Sequence, residues 1–193
     1  MEKMSKDEIK ELIEKNRHLR EYLDYYIKNI KNKVVKPLAY YKVLPFSLKE
    51  ENYPNLIYPT RNGIFVHIYR TADMEEPEYY IIEPKLNKEE RKKFEKILNL
   101  ILERAPYKRE AKDDEDLRQL IREILDEVTI VTDAENKQEK KSLIGGFFKN
   151  KIRVTSAEKE KIEYALRRDI LGSGILECFM GDPYIEDIHV IHG

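Results

Sequence analysis

The apolar residues of this 193-residue chain follow two different periods, and this alternation limits the fold more than any other feature of the sequence. Between residues 114 and 131 they recur every three or four positions, which is the spacing of an amphipathic helix. The runs at residues 64–69 and 79–82 are instead short and rich in β-branched and aromatic side chains, as strands are. The sequence therefore predicts an α+β fold in which several helices pack with a small sheet.

Four long helices are expected from the helical spacing. Their approximate bounds are residues 6–32, 88–105, 114–131 and 156–171. Ser5 and Thr155 each begin a capping box, and Asn87 is a helix cap before the second helix. Pro106 should stop that helix, and Gly172 should end the fourth.

The remaining segments predict extended chain, turns and loops. Four prolines between residues 37 and 59 forbid a long helix there and favour a structured connector. Residues 133–151 predict a long loop or a β-hairpin, and their apolar patch at residues 143–148 is either folded onto the domain or exposed as a contact for a partner or a membrane. A short helix at residues 175–180 and a strand at residues 185–191 complete the chain.

These elements divide the chain into two regions. Residues 1–62 should form a helical region followed by the Tyr- and Pro-rich connector. Residues 63–193 should form an α+β domain. Because the last predicted strand runs to the final residues without a partner after it, we expect the natural protein to continue beyond Gly193.

The overall charge argues against nucleic acid as a partner. Lys and Arg total 36 and Asp and Glu total 37, so the formal charge is −1 and no global positive field attracts phosphate backbones. Charged residues nevertheless make up 38% of the chain, with no Trp and one Cys. This composition is typical of hyperthermophile proteins, in which ion-pair networks are less costly at high temperature.

The chain contains neither a membrane span nor a disulfide framework. No stretch approaches the ~18 apolar residues that a membrane span requires, so we expect no direct membrane insertion. Cys178 is alone and cannot form an intramolecular disulfide. We expect it to be a small buried side chain.

No motif in the chain supports catalysis on its own. The phosphate-binding pattern GxxxxGK[ST] is absent, and the G-S-G turn at Gly172 and Gly174 lacks the strand and third glycine of a dinucleotide site. The histidines are scattered, and His189 and His192 should diverge in a strand. We therefore expect no catalytic, cofactor-binding or metal-binding residue in this chain.

Three carboxylates near the end of the chain could suggest a metal or acid–base site. Glu186 and Asp187 are neighbours in the predicted strand, however, and such neighbours point to opposite faces. Asp182 stands before Pro183, a pair that suits a turn. A structural or interface role is therefore favoured over a metal site.

Arg167 and Arg168 are adjacent on the last long helix, and two interpretations remain open. They form a solvated face, or they reach toward phosphates or acids across a subunit or domain boundary. The second interpretation rests on the rigid fork of donors that a guanidinium offers.

Residues 164–188 combine an Arg-rich helix, a G-x-G turn, a short apolar helix and a D-P-x-I-E-D-I segment. The positions that carry this pattern are Arg167, Arg168, Gly172, Gly174, Asp182, Pro183, Glu186 and Asp187. In this combination the segment resembles the amino-terminal domain of type II/type IV secretion ATPases. The Y-x-x-x-E-P-x-L segment that begins at Tyr79 is similar to one found upstream in archaeal members of that family.

The resemblance implies a two-part protomer in which this domain precedes a RecA-like domain bearing the P-loop. ATP and Mg²⁺ would bind between the two parts of a homo-hexamer at the cytoplasmic face of the membrane, against a platform protein. Such motors drive secretion, pilus assembly or archaellum assembly. The present chain would couple ATP-driven motion to the platform and should not hydrolyse ATP alone.

The alternative to a motor domain is a stand-alone scaffold or adaptor that binds a motor or a membrane complex. The two interpretations differ in one sequence feature. A P-loop after Gly193 would establish the ATPase, whereas a stop codon there would favour the adaptor.

Overall fold

The chain forms two compact units, here called unit 1 and unit 2. The computed structural model describes residues 3–28, 36–45, 48, 51–133, 151–172 and 174–189. Unit 1 comprises Met1–Glu83 and Leu176–Gly193, and unit 2 comprises Pro84–Ile175. Helices and a small mixed sheet are present, so the predicted α+β class is confirmed. The units do not follow the expected boundary between residues 62 and 63, which lies between two paired strands of unit 1.

Unit 1 begins with two helices, α1 (Lys6–Lys15) and α2 (Arg17–Lys28), where one helix over residues 6–32 was predicted. Asn16 separates them in an extended conformation, with its side-chain amide donating to the Leu12 carbonyl at 2.8 Å. An Asn side chain that bonds the backbone in this way competes with the helix, which accounts for the break. The predicted capping box of Ser5 and Glu8 is confirmed. Residues 29–32 lie outside the described residues.

A four-stranded sheet follows in the order β1-β2-β3-β4. Its strands are β1 (Ala39–Tyr40), β2 (Asn55–Pro59), β3 (Phe65–Tyr69) and β4 (Glu78–Ile82). β1 is parallel to β2, and the other pairs are antiparallel. The predictions of β3 and β4 are confirmed, whereas β1 and β2 lie within the segment expected to be a connector. Gly63, at the predicted turn before β3, has a φ of 72° that favours glycine.

The two faces of this sheet carry different neighbours because side chains alternate along each strand. On one face Ile57 and Phe65 pack with Leu19 and Tyr22 of α2. On the other face Leu56, Tyr58 and Val66 form a second cluster, with residues of the β1 region and Tyr79 packed against it. Unit 1 therefore has a core on each side of its sheet.

Unit 2 is mainly helical. Its elements are α3 (Lys88–Lys108), α4 (Asp114–Val128), β5 (Thr129–Val131), β6 (Ile152–Val154), α5 (Ser156–Leu166) and a π-helical segment, Arg167–Leu171. The predicted caps Asn87 and Thr155 are confirmed, each in a capping box. The core is a cluster of aliphatic side chains with Phe94, and Ile97, Ile124, Ile162 and Leu166 are 0% exposed.

Two helix ends in unit 2 differ from the sequence prediction. α3 continues past Pro106 to Lys108, which places the proline in the last turn of the helix. α4 ends at Val128, and the next three residues form β5, which pairs in parallel with β6. The apolar period of α4 runs into β5 without interruption, so periodicity alone could not locate this boundary.

The described residues at the end of unit 1 contain a short helix but no strand. A 3-10 turn at Gly174–Leu176 leads into α6 (Glu177–Met180), as predicted. The predicted strand over residues 185–191 is wrong for residues 185–189, which form neither helix nor strand. Residues 190 and 191, and the predicted hairpin with its patch at residues 143–148, lie outside the described residues. None of the described helices combines the length and apolar composition needed to cross a membrane.

Candidate functional site

The residues that carry the sequence pattern fall into two groups. Asp182, Pro183, Glu186 and Asp187 belong to unit 1. Arg167, Arg168, Gly172 and Gly174 belong to unit 2. We therefore describe the two groups separately, beginning with the group around Asp182.

Asp182 is the centre of a buried hydrogen-bonded cluster in unit 1. One of its oxygens, Oδ2, accepts hydrogen bonds from the hydroxyls of Tyr58 and Tyr79, each at 2.5 Å. Tyr58 lies on β2 and Tyr79 on β4, and Asp182 is only 4% exposed. A carboxylate this deeply buried needs such donors because its desolvation is otherwise costly. We call these three residues the tyrosine–aspartate cluster.

The protonation of the cluster follows from its burial. Desolvation is the main cause that raises the pKa of both Tyr58 and Tyr79, and the hydrogen bonds to Asp182 raise each pKa further. Both hydroxyls therefore remain protonated and act as donors to the carboxylate. The arrangement is that of a structural clamp, since it offers neither a free base nor an ionised phenol for chemistry.

The second oxygen of Asp182 shapes the turn that the sequence predicted. Oδ1 accepts the backbone N–H of Tyr184 at 2.9 Å, and the Asp182 carbonyl accepts from the Ile185 N–H at 3.4 Å. This turn chemistry is the one expected of Asp before Pro183. Asp182 therefore fixes its own backbone and at the same time holds the segment to the sheet.

Two further contacts join α6 to β4 and to the residue that follows it. The ring of Phe179 stacks on Tyr79 with 5.7 Å between centroids. The Cys178 thiol lies 3.1 Å from Oε2 of Glu83 and can donate to it. Cys178 is buried, as predicted, but it has a polar neighbour. The two segments that carry the family resemblance therefore contact each other at three points.

Glu186 and Asp187 do not join Asp182 in a carboxylate cluster. Both are exposed, whereas Asp182 is buried. Within the part of the chain that the structure describes, no group of three or more His, Cys, Asp or Glu side chains could hold a metal ion. Pro183 is exposed next to the turn.

A buried histidine on the opposite face of the sheet was missed by the sequence analysis. His67 on β3 is 0% exposed and lies between Tyr22 and Asn55. Its Nδ1 is 2.7 Å from the Tyr22 hydroxyl, and its Nε2 is 3.0 Å from Oδ1 of Asn55. The Asn55 amide donates to the Lys36 carbonyl at 2.9 Å, which leaves Oδ1 directed at His67.

These partners fit the neutral imidazole with its proton on Nε2. In that tautomer Nε2–H donates to Asn55, and Nδ1 accepts from Tyr22. Burial lowers the pKa of His67 to about 4, so the ring is neutral at pH 7. The only sequence signal was the position of His67 inside a predicted strand of otherwise apolar and aromatic residues.

Three arginines of unit 2 line a small groove of about 120 Å³. Arg118, Arg122 and Arg167 line it together with Glu115, Ile121, Glu163 and Leu171. Arg122 pairs with Glu163 at 3.1 Å, whereas Arg167 stacks over the Tyr164 ring at 5.8 Å. Within the described residues no carboxylate lies within ion-pair distance of Arg167. Its reach toward a phosphate or an acid stays a prediction.

The remaining pattern residues of unit 2 have local roles. Arg168 is largely buried, with its side chain 19% exposed, and its Nε donates to Asp169 at 2.8 Å. Gly172 ends the π-helical segment, as predicted for the helix end. Gly174 has a φ of 60°, a backbone conformation that residues with a Cβ atom rarely adopt. The G-x-G spacing thus serves a helix end and a turn.

Comparison with known proteins gives one informative relative. No protein-family model matches the chain. The chain is similar to the uncharacterized protein MJ0900 of the thermophilic archaeon Methanocaldococcus jannaschii, with 40% identity over 189 residues. This similarity covers 97% of the chain and 33% of that protein, so the chain spans about a third of the relative's length. The source of the relative is compatible with the thermophile-like composition.

Proposed function

We propose that this chain is the non-catalytic amino-terminal domain of a hexameric ATPase that powers type II secretion, type IV pilus assembly or archaellum assembly. In that role it couples the motion of a RecA-like domain to a membrane platform protein. The complete motor is cytoplasmic and peripheral to the inner face of the cell membrane, and ATP and Mg²⁺ bind through the RecA-like domain.

One observation carries the proposal. The segment that begins at Tyr79 and the segment that contains Asp182 each resemble the same family, and Tyr79 and Asp182 lie 103 residues apart in the sequence. In the structure Tyr79 donates to Asp182, and Glu83 lies against Cys178. Two segments that both belong to one domain family are expected to contact each other in the folded domain. Two chance resemblances would not be expected to do so.

Two other features support the proposal. The chain has no GxxxxGK[ST] sequence, which agrees with a domain that works only together with a catalytic partner. The relative is about three times as long as the segment it shares with this chain, so it has room for a further domain. These features support a part of a larger machine without identifying its cargo.

The decisive experiment determines the coding sequence after Gly193 and measures Mg-ATP hydrolysis by the complete product. We expect a GxxxxGK[ST] motif on a strand-to-helix turn and hydrolysis that is lost when its lysine is changed to alanine. The 193-residue chain alone should show no turnover. Light scattering should report a hexamer for the complete product.

A pair of variants separates the role of this domain from the chemistry of the motor. Asp182→Ala in the complete protein should slow hydrolysis by loosening the tyrosine–aspartate cluster. Glu76→Ala, at an exposed carboxylate of unit 1 outside the sequence pattern, is the control and should leave the rate unchanged. A stop codon after Gly193, or a complete product without ATP hydrolysis, would instead favour the stand-alone scaffold.

A further inference from the structure

An open groove beside the first helix of unit 1 combines an apolar floor with a cationic rim. It has a volume of about 480 Å³. Its lining residues are Lys6, Ile9, Lys10, Ile13, Glu14 and Arg20. We call it the α1 groove. All of these residues belong to α1 or to the first turn of α2.

The floor of the α1 groove consists of Ile9 and Ile13. Both are half-buried, and no residue of α1 is fully buried. Ile13 also packs against the core cluster of α2 and the sheet, which holds the floor in place. An apolar side chain from outside could cover the remaining exposed surface of these isoleucines, a favourable burial.

The rim of the groove has excess positive charge. Lys6, Lys10, Arg20 and Glu14 are all exposed. Among the described residues, none of the three cations pairs with a carboxylate, and the Arg20 guanidinium donates only to the Glu14 backbone carbonyl at 3.1 Å. This local excess contrasts with the formal charge of −1 for the whole chain.

None of the other carboxylates of α1, which are Asp7, Glu8 and Glu11, is among the residues that line the groove. Glu8 bonds to Lys42, and Glu11 pairs with Lys15, each at 2.5 Å. The helix therefore presents its paired carboxylates away from the groove and unpaired cations toward it. A ligand that supplies carboxylates would meet cations that have no competing partner.

We infer that the α1 groove binds an acidic amphipathic segment of a partner protein. An apolar side chain of that segment lies on Ile9 and Ile13, and flanking carboxylates bond to Lys6, Lys10 and Arg20. This is the helix-in-groove mode of recognition, with charge-assisted hydrogen bonds at the rim. The inference does not depend on the proposed ATPase function.

A protein segment fits this surface better than a lipid bilayer does. A helix that lies on a membrane presents protruding apolar side chains that enter the acyl region. Here Ile9 and Ile13 are half-buried between charged side chains and do not protrude from α1, so little apolar surface is available to enter an acyl region. An apolar side chain of a partner can cover the surface of these isoleucines that remains exposed.

The test uses fluorescence anisotropy with a labelled helical peptide of ~15 residues, a length at which an isolated helix is marginally stable. The peptide carries leucines along one face and glutamates flanking them. We expect saturable binding to the 193-residue chain at low salt. Lys6→Gln combined with Lys10→Gln should weaken it about three- to tenfold, the range for two exposed ion pairs.

Matched controls decide whether the groove itself is responsible. Lys88→Gln with Lys96→Gln removes two exposed lysines of α3 in unit 2 and should leave binding within about twofold. A peptide with lysines in place of the glutamates should not bind. Ile9→Ser should weaken binding of the acidic peptide without changing the charge, and circular dichroism checks that each variant is folded.

Three results would overturn the inference. The first is the absence of saturable binding by the acidic peptide. The second is equal weakening by the variants of α1 and of α3, which would indicate non-specific charge attraction. The third is Lys6- and Lys10-dependent binding to phosphatidylglycerol vesicles without peptide binding, which would assign the surface to a membrane.

Discussion

Unit 1 and unit 2 are stabilised by different means. Unit 1 packs tyrosines around its sheet and buries polar groups, notably His67 and Asp182, each held by hydrogen bonds to tyrosine. Unit 2 has an aliphatic core and ion pairs that lie mainly at its surface, such as Arg109 with Asp116, although Glu90 and Lys161 form a largely buried pair at 3.4 Å. Unit 1 should therefore respond to the protonation and pairing of a few buried groups, and unit 2 to packing volume and salt.

The largest expected effect tests packing in unit 2. Ile124→Ala removes a side chain that is 0% exposed and should lower the free energy of unfolding of unit 2 by about 4 kcal/mol, because it leaves a cavity. Hydrogen exchange followed by mass spectrometry can measure the protection of the backbone amides in α4 and in the sheet of unit 1 separately. Leu102→Ala, at a position 58% exposed on α3, is the control and should cost less than about 0.5 kcal/mol. Equal loss of protection in both units would show that they unfold as one body.

The second effect concerns pH and His67. Its pKa is about 4 in the folded chain and 6.5 ordinarily, so the unfolded state takes up a proton first as pH falls. The contribution of His67 to the free energy of unfolding of unit 1 should be complete above pH 6.5. As the pH falls from 6.5 through 4, this free energy should decrease by about 3 kcal/mol in total. Urea unfolding at a series of pH values measures this loss.

Unit 2 should begin to respond only at lower pH. Desolvation raises the pKa of Glu158, but the hydrogen bonds to Lys93 and to the Thr155 backbone together outweigh it and lower the pKa, so the stabilisation by Glu158 is lost only below its ordinary pKa of 4.5. Asp116 and Asp133 behave in the same way below 3.8. His67→Gln should abolish the loss between pH 6.5 and 4.5 in unit 1. If that loss persists in the variant, His67 is not its source.

A third, smaller effect tests the tyrosine–aspartate cluster. Asp182→Ala leaves the hydroxyls of Tyr58 and Tyr79 without their acceptor and should destabilise unit 1 by about 2 kcal/mol. Asp182→Asn keeps an acceptor and should cost about half as much. Exposed Asp187→Ala is the matched control. Thermal unfolding of the three variants at pH 7 measures these losses. An equal loss of stability in Asp182→Ala and Asp187→Ala would contradict the structural role of the tyrosine–aspartate cluster.

The smallest effect concerns the surface pairs of unit 2. Arg122 and Glu163 are 3.1 Å apart, with side chains 56% and 41% exposed. A double-mutant cycle with Arg122→Gln and Glu163→Gln should give a coupling of about 0.5 kcal/mol that fades in high salt. A coupling that is independent of salt would mean that these networks do not act by screened electrostatics.

The helices and the strands β3 and β4 could be predicted because their apolar periods and caps are local signals. β3, β4, the helix cap Asn87 and the capping box at Thr155 were found in this way. β2 was missed because prolines at both ends of it pointed to a connector. The β5–β6 pair was missed because it joins three-residue segments that are far apart in sequence.

The candidate site could be predicted only in part for the same reason. The Asp182 turn follows from the adjacent proline, a local signal. Its burial does not, because the donors Tyr58 and Tyr79 lie 124 and 103 residues away. The exclusion of a carboxylate cluster rested on a strand that does not form over residues 185–189, although Glu186 and Asp187 are indeed exposed while Asp182 is buried.

The order of the chain through the two units bears on how the protein is made. Unit 2 is one continuous stretch inserted between the two segments of unit 1. During synthesis on the ribosome, unit 2 can therefore fold as soon as it emerges, whereas Tyr58 and Tyr79 must wait for Asp182. Unit 1 should be the last part to mature, and release of a nascent chain before residue 182 should leave its sheet open to proteases.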